Sequence, residues 1–121
     1  MSVDAGLYAW VQEALAPVGE LTRRPMMGGA ALYLDGTIFA ILTRGELWFK
    51  GDAESAARWD RAGCEPFTFV RAGKTGATSY RRAPAEVHDG AEAMRDWAGI
   101  ALAAGLRAAA KKTPKRAPVR S

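Results

Sequence analysis

The stretch Met26–Lys50, MMGGAALYLDGTIFAILTRGELWFK, constrains the fold more than any other part of the chain. A glycine pair leads into three short apolar runs, separated by Asp35-Gly36 and Arg44-Gly45. Glycine reaches the positive φ that tight hairpin turns need. The pattern therefore predicts a three-stranded antiparallel meander over Ala30–Leu34, Thr37–Thr43 and Glu46–Lys50. In the middle run, alternation puts Ile38, Ala40 and Leu42 on one face and Phe39 and Ile41 on the other. Both sets are apolar, so both faces need a cover. One layer of helices covers a single face. The other is expected to meet another element, a partner subunit or a ligand.

The flanks supply that layer. Val3, Leu7, Trp10, Val11, Ala14 and Leu15 recur at helical spacing, predicting an amphipathic helix over Val3–Ala16. Ser2 or Asp4 would cap it, and Pro17 and Gly19 end it. Asp52–Ala62 reads as a short helix with Asp52 as N-cap and Gly63 at its C-terminal stop. Two strands follow, Pro66–Val70 and Gly76–Arg81, around the loop Arg71–Thr75. After Pro84, Asp89 and Glu92 have capping-box spacing before an alanine-rich helix over Ala91–Ala110. The expected order is α-β-β-β-α-β-β-α: an α+β domain with a five-stranded, mainly antiparallel sheet.

The 121 residues make one domain, large enough to bury a core without disulfides or a metal. The formal net charge of +4 invites a nucleic-acid reading. Its distribution argues otherwise, because Lys111–Ser121 carries five basic side chains and no acid. Residues 1–110 hold twelve basic against thirteen acidic side chains, a net of −1. The division is thus a domain over 1–110 and a basic tail, read as disordered, over 111–121. The single cysteine, Cys64, excludes an internal disulfide, and the single histidine, His88, excludes a His-pair metal site. No signal peptide and no apolar run of about 20 residues is present, so the expected location is cytoplasmic, with no membrane contact.

Ordered along the chain are Arg24, Met26–Gly29, Asp35-Gly36, Phe39-Ala40, Gly45–Lys50, Gly63, Glu65–Phe67, Gly73-Lys74, Ser79-Tyr80, Pro84 and Trp97. Together they resemble the N-terminal domain of the TfoX (Sxy) family, known from regulators of natural competence. Arg24 with Met26–Gly29 is similar to that family's R-x-M-F-G-G opening, and Gly45–Lys50 to its G-x-L-Y-L-K strand. The resemblance covers about residues 5–110. Met27 stands where the family often has an aromatic residue, and Ala30 where a small glycine-like residue is common. Two-domain TfoX regulators resemble this chain over their first half only. The resemblance implies a regulatory or interaction role without the second domain.

Candidate sites are few. Gly73-Lys74-Thr75 is similar to the end of a phosphate-binding loop, but Thr68 occupies the position of the first glycine and a strand-to-strand loop is the wrong setting. Met26-Met27-Gly28-Gly29 could form a backbone nest for an anion, with Gly28 and Gly29 as its candidates; the plainer reading is a flexible entry to the first strand of the meander, with the methionines filling the core. Arg24, Lys50 and Tyr80 are candidates for a donor cluster suited to a carboxylate or phosphate, against a solvated rim. Cys64 reads as a structural thiol and His88 as a surface residue. Lys111, Lys112, Lys115, Arg116 and Arg120 are candidates for weak, salt-sensitive nucleic-acid contact. No catalytic constellation, metal or cofactor is read from the spacing. The leading expectation is a non-catalytic regulatory or interaction module with a protein partner. The alternatives are an anion-binding domain or enzyme using Arg24, Lys50 and Tyr80, and a nucleic-acid accessory protein using the tail. The two-sided apolar strand and the small-residue stripe of the last helix also predict a homodimer.

Overall fold

A computed structural model describes residues 5–26 and 28–112. The elements run α1 (Ala5–Leu15), β1 (Leu21–Met26), β2 (Gly29–Leu34), β3 (Thr37–Thr43), β4 (Glu46–Lys50), α2 (Ala56–Arg61), β5 (Pro66–Arg71), β6 (Lys74–Arg82), a 3-10 turn (Ala85–His88) and α3 (Ala91–Lys112). The expected capping residues Ser2 and Asp4, together with Met27, lie outside the described residues.

The fold is α+β, but the sheet has six strands rather than five, all antiparallel, in the order β1-β2-β3-β4-β6-β5. The added strand is β1, Leu-Thr-Arg-Arg-Pro-Met, which pairs in register from Leu21↔Leu34 to Met26↔Gly29. Its arginines and Pro25 hide it in the sequence. The same residues suit an edge, where proline gives up no sheet bond and charge discourages further pairing. Between β1 and β2, Gly28 has φ +78. A side chain on Gly29 would collide with the Leu42 carbonyl oxygen and Thr43 of β3.

The meander lies where its turns place it. Asp35-Gly36, Arg44-Gly45 and Ala72-Gly73 each have two consecutive positive φ values, the backbone of two-residue type I′ hairpins. The strict alternation expected of β3 fails at one point. Leu32 faces Ala40 but Tyr33 faces Ile38, so Phe39 is an extra residue, a β-bulge. Phe39 and Ala40 both enter the helix-side core, while Ile38 and Ile41 project from the other face. The bulge resets the pleat, and the expected grouping of Ile38 with Ala40 and Leu42 is corrected.

α1 and α3 cover one face. Val11, Leu15, Leu32, Phe39, Phe49 and Met94 are wholly enclosed there. Rings stack outward from the sheet in a series Phe39–Phe49–Trp59–Trp97, with centroids 6.4, 5.8 and 5.0 Å apart. Gly105 lets α3 approach β3, because a side chain there would strike the Ile38 carbonyl. Arg95 donates to the Ala14 carbonyl at 3.1 Å and Trp10 Nε1 to the Val87 carbonyl at 2.8 Å, fixing α1 against α3 and the 3-10 turn.

α2 begins at Ala56, four residues later than expected, and Ser55 rather than Asp52 is its N-cap residue. Asp52 instead closes the preceding turn: its Oδ1 accepts from the Ser55 amide at 3.0 Å, and its own amide donates to Ser55 Oγ at 3.1 Å. Gly63 stops α2 as expected. Its amide donates to the Asp60 carbonyl and the Cys64 amide to the Trp59 carbonyl, a Schellman motif at φ +75. α3 runs on to Lys112, two residues beyond the expected end at Ala110.

Candidate functional site

Among the described residues no helix lies on the opposite face of the sheet. A second apolar cluster sits there: Ala31, Ile41, Trp48 and Phe67, with Met26, Tyr33, Ile38 and Tyr80 packed around it. Trp48 and Phe67 are only 6% and 8% exposed, and their rings meet edge to face at 4.8 Å. The sheet itself provides much of this cover. Met26 of the β1 edge and Phe67 of the β5 edge line one cavity of about 20 Å³ with Ile41 and Thr43. The two edge strands therefore converge, and the sheet curls over its own second face.

Cations cap the rings of this cluster. Arg24 lies 5.5 Å from the Tyr33 ring centre, Arg44 5.9 Å from Phe67, Lys50 5.1 Å from Tyr80 and Arg82 4.6 Å from Trp48. Each is within or at the range where a ring attracts a cation. Arg82 is also held by Glu46 at 2.5 Å and Glu65 at 2.6 Å, which raises its pKa further. Burial, with the neighbouring Tyr33, pushes the Tyr80 phenol up to about 12.

Three of the candidates singled out from sequence thus share a face. Arg24 stands opposite Ala31 on β1, and Lys50 opposite Tyr80 across β4 and β6. They do not form one tight cluster: Arg24 shares the Trp48 row, and Lys50 and Tyr80 lie two residues further along. Gly28 and Gly29 are at the other end of the sheet, about 13 Å from Lys50 along the strands at ~3.3 Å per residue. Turn geometry accounts for Gly28 and the close approach to β3 for Gly29. Lys111 is exposed and Lys112 ends α3; Lys115, Arg116 and Arg120 lie outside the described residues.

Sequence reading passed over Tyr33, Arg44, Trp48, Phe67 and Arg82. The available signal was Trp48 between Leu47 and Phe49: alternation sends it to the face opposite theirs. Trp48 is unusual in a second way. The indole N–H groups of Trp10, Trp59 and Trp97 donate to Val87 O, Ser55 Oγ and Glu86 Oε2, whereas Trp48 Nε1 is buried with no acceptor.

Clefts on the helix side have a structural explanation. One of about 210 Å³ is lined by Glu54, Ser55, Arg58, Ile100, Ala103 and Arg107. Arg107 ties one side of it together, donating to both Asp52 oxygens at 2.7 and 3.0 Å and lying 3.3 Å from Glu54. The Arg107 hydrogen bond, against some desolvation and aided by Ser55, holds the Asp52 carboxyl well below the usual range. Cys64 is buried, and burial raises its pKa away from reactive thiolate character. Gly73 forms a hairpin turn with Lys74 and Thr75 in β6, the geometry of a turn and not of a phosphate loop. Among the described residues no cluster of three His, Cys, Asp or Glu side chains is placed to hold a metal. No helix among them is long and apolar enough to cross a membrane.

Comparison with known proteins adds two findings. The family model for the TfoX N-terminal domain matches residues 13–105. The DNA transformation protein TfoX1 of Aliivibrio fischeri is 32% identical over 63 residues, which is 52% of this chain and 30% of that relative. The match therefore spans less than a third of the relative's length.

Proposed function

The chain belongs to the TfoX N-terminal domain family, and from that premise we propose that it is a non-catalytic, competence-regulator-like interaction module that holds a protein partner on the helix-free face of its sheet. The supporting observation is the second hydrophobic cluster on that face, with Arg24, Arg44, Lys50 and Arg82 over its rings. The apolar residues at its centre are covered, Trp48 and Phe67 to all but 6% and 8%, so what this face presents is the ring of cations, and charge is what would select a partner there. On this face Arg24 and Arg44 lie over aromatic rings and have no carboxylate partner among the described residues.

The test is affinity capture with the full chain and with Arg24→Glu/Arg44→Glu. A partner bound through this face is lost from the double variant and kept when the helix-side residue Arg58 is changed to Glu. Retention of the same partner by the double variant, shown folded by circular dichroism, sinks the reading.

A further inference from the structure

Resting on that reading, we infer that the occupant of the helix-free face is an acidic segment of a different protein, carrying apolar side chains and an oxygen acceptor for Trp48 Nε1. Charge selects it. Among the described residues Arg24 and Arg44 have ring contacts but no ion pair, while Arg82 is already neutralised by Glu46 and Glu65. The charges of Arg24 and Arg44 thus have no carboxylate partner among the described residues. The chain's own segment Lys111–Ser121 has five basic side chains and no acid, so it is repelled. A second copy in a two-fold contact through this face brings the same net-positive patch against itself, since among the described residues Arg24, Arg44 and Arg82 there are set against Glu46 and Glu65 only.

The rings also argue against stacked bases. Single-stranded nucleic acid needs open ring faces. Here Trp48 and Phe67 are almost fully covered, and the rings of Tyr33, Trp48, Phe67 and Tyr80 each have a cation against them. What the face turns outward is guanidinium and ammonium groups. The Trp48 indole is the second, independent pointer. It is more than nine-tenths buried within this cluster, and its N–H has no acceptor. A buried donor without a partner is costly. A carbonyl or carboxylate brought in over the cluster removes that cost, with the Arg82 guanidinium moving off the ring to admit it. Because the β1 and β5 edges converge over this face, a peptide of about ten residues, roughly 33 Å when extended, is more than long enough to cross it.

The experiment follows the four indole N–H resonances of the nitrogen-15-labelled full chain, with the Trp48 signal identified by Trp48→Phe. The probes are a ten-residue peptide alternating glutamate and leucine, the same peptide with lysine for glutamate, and a ten-nucleotide oligothymidylate. The expected result is a shift of the Trp48 signal alone with the glutamate peptide. Binding weakens at least tenfold between 50 mM and 300 mM salt and is absent in Arg24→Gln/Arg44→Gln. An unmoved Trp48 signal overturns the inference, as does equal binding of the lysine peptide or tighter binding of the oligonucleotide. Concentration-dependent shifts of far-face signals without any probe, with a dimer in sedimentation, also overturn it in favour of a second copy. These failures are separable from failure of the functional reading, which is decided by whether the captured partner is lost on charge reversal, whatever that partner's chemistry.

Discussion

Tyr80 shows how a single side chain on this sheet reports its surroundings. Its phenol is half-buried against Tyr33 with Lys50 above the ring, and burial lifts its pKa to about 12. A raised folded pKa means the folded state keeps the proton longer than the unfolded chain does. The stability tied to that proton is fully present below the ordinary tyrosine value near 10. It is lost as pH rises from there through about 12. Absorbance titration is expected to show one of the three tyrosines ionising only near the top of that range. In urea melts, the stability difference between the native chain and Tyr80→Phe is expected to be constant below about pH 10 and to shift against the native chain above it. A parallel decline in both proteins places the phenol in water and refutes the packing of this corner.

At the scale of elements, the tie between the β4–α2 loop and α3 is the one the sequence left unread. Asp52 was legible as a polar residue before a helix, but its partner Arg107 lies 55 positions away, and spacing carries no information about that pairing. Asp52→Ala removes the Arg107 fork and the acceptor for the Ser55 amide. The expected cost is about 2 kcal/mol at neutral pH, the scale of hydrogen bonds to a charged group. Because the folded carboxyl is held below its ordinary value, this contribution is present above about pH 4 and fades as pH falls through the folded pKa. Denaturation at pH 7 and pH 2 checks it: the gap between native and variant should narrow in acid, and a gap that widens contradicts the assignment. The same limit separates the features that local sequence carries from those it hides. The turns Asp35-Gly36 and Arg44-Gly45, the Gly63 stop and the alanine-rich α3 are local chemistry and were readable. β1 was not, since Arg23, Arg24 and Pro25 become a strand only by pairing with β2. Nor was the Phe39 bulge, which exists only in the offset between two strands. With the bulge unread, the face of Ile38 was assigned wrongly. Arg24, Lys50 and Tyr80 were found as residues, while the aromatic cluster they surround needed the sheet order to appear.

For the whole molecule, the two faces of the sheet should differ in how they open. The helix-side core ties α1, β2, β3, β4 and α3 into one unit around Leu32, Phe39, Leu42 and Phe49. The β5–β6 hairpin is attached differently. β5 is an edge strand, its exposed Phe69 rests on Gly76 within the same hairpin, and Val70 is 72% exposed. The hairpin joins the rest through three registered pairs, Trp48↔Arg82, Phe49↔Arg81 and Lys50↔Tyr80, through the Arg82–Glu46 and Arg81–Asp60 ion pairs near its open end, and through the Phe67 contact with Trp48. Regions with few buried apolar contacts open at a lower free energy than the global unit. Amide hydrogen exchange is therefore expected to release the β5 amides and the turn-proximal part of β6 through a partial opening that depends weakly on denaturant. The amides of β2, β3 and the middle of α3 should exchange only with global unfolding. Phe67→Ala is expected to speed exchange in the hairpin much more than in β2, because it removes the ring that seats β5 on Trp48. Opening of this hairpin uncovers the one indole N–H that has no acceptor. Exchange of β5 at the global rate, unchanged in Phe67→Ala, means that the curled sheet opens only as a whole and that the Trp48 cluster is a closed second core.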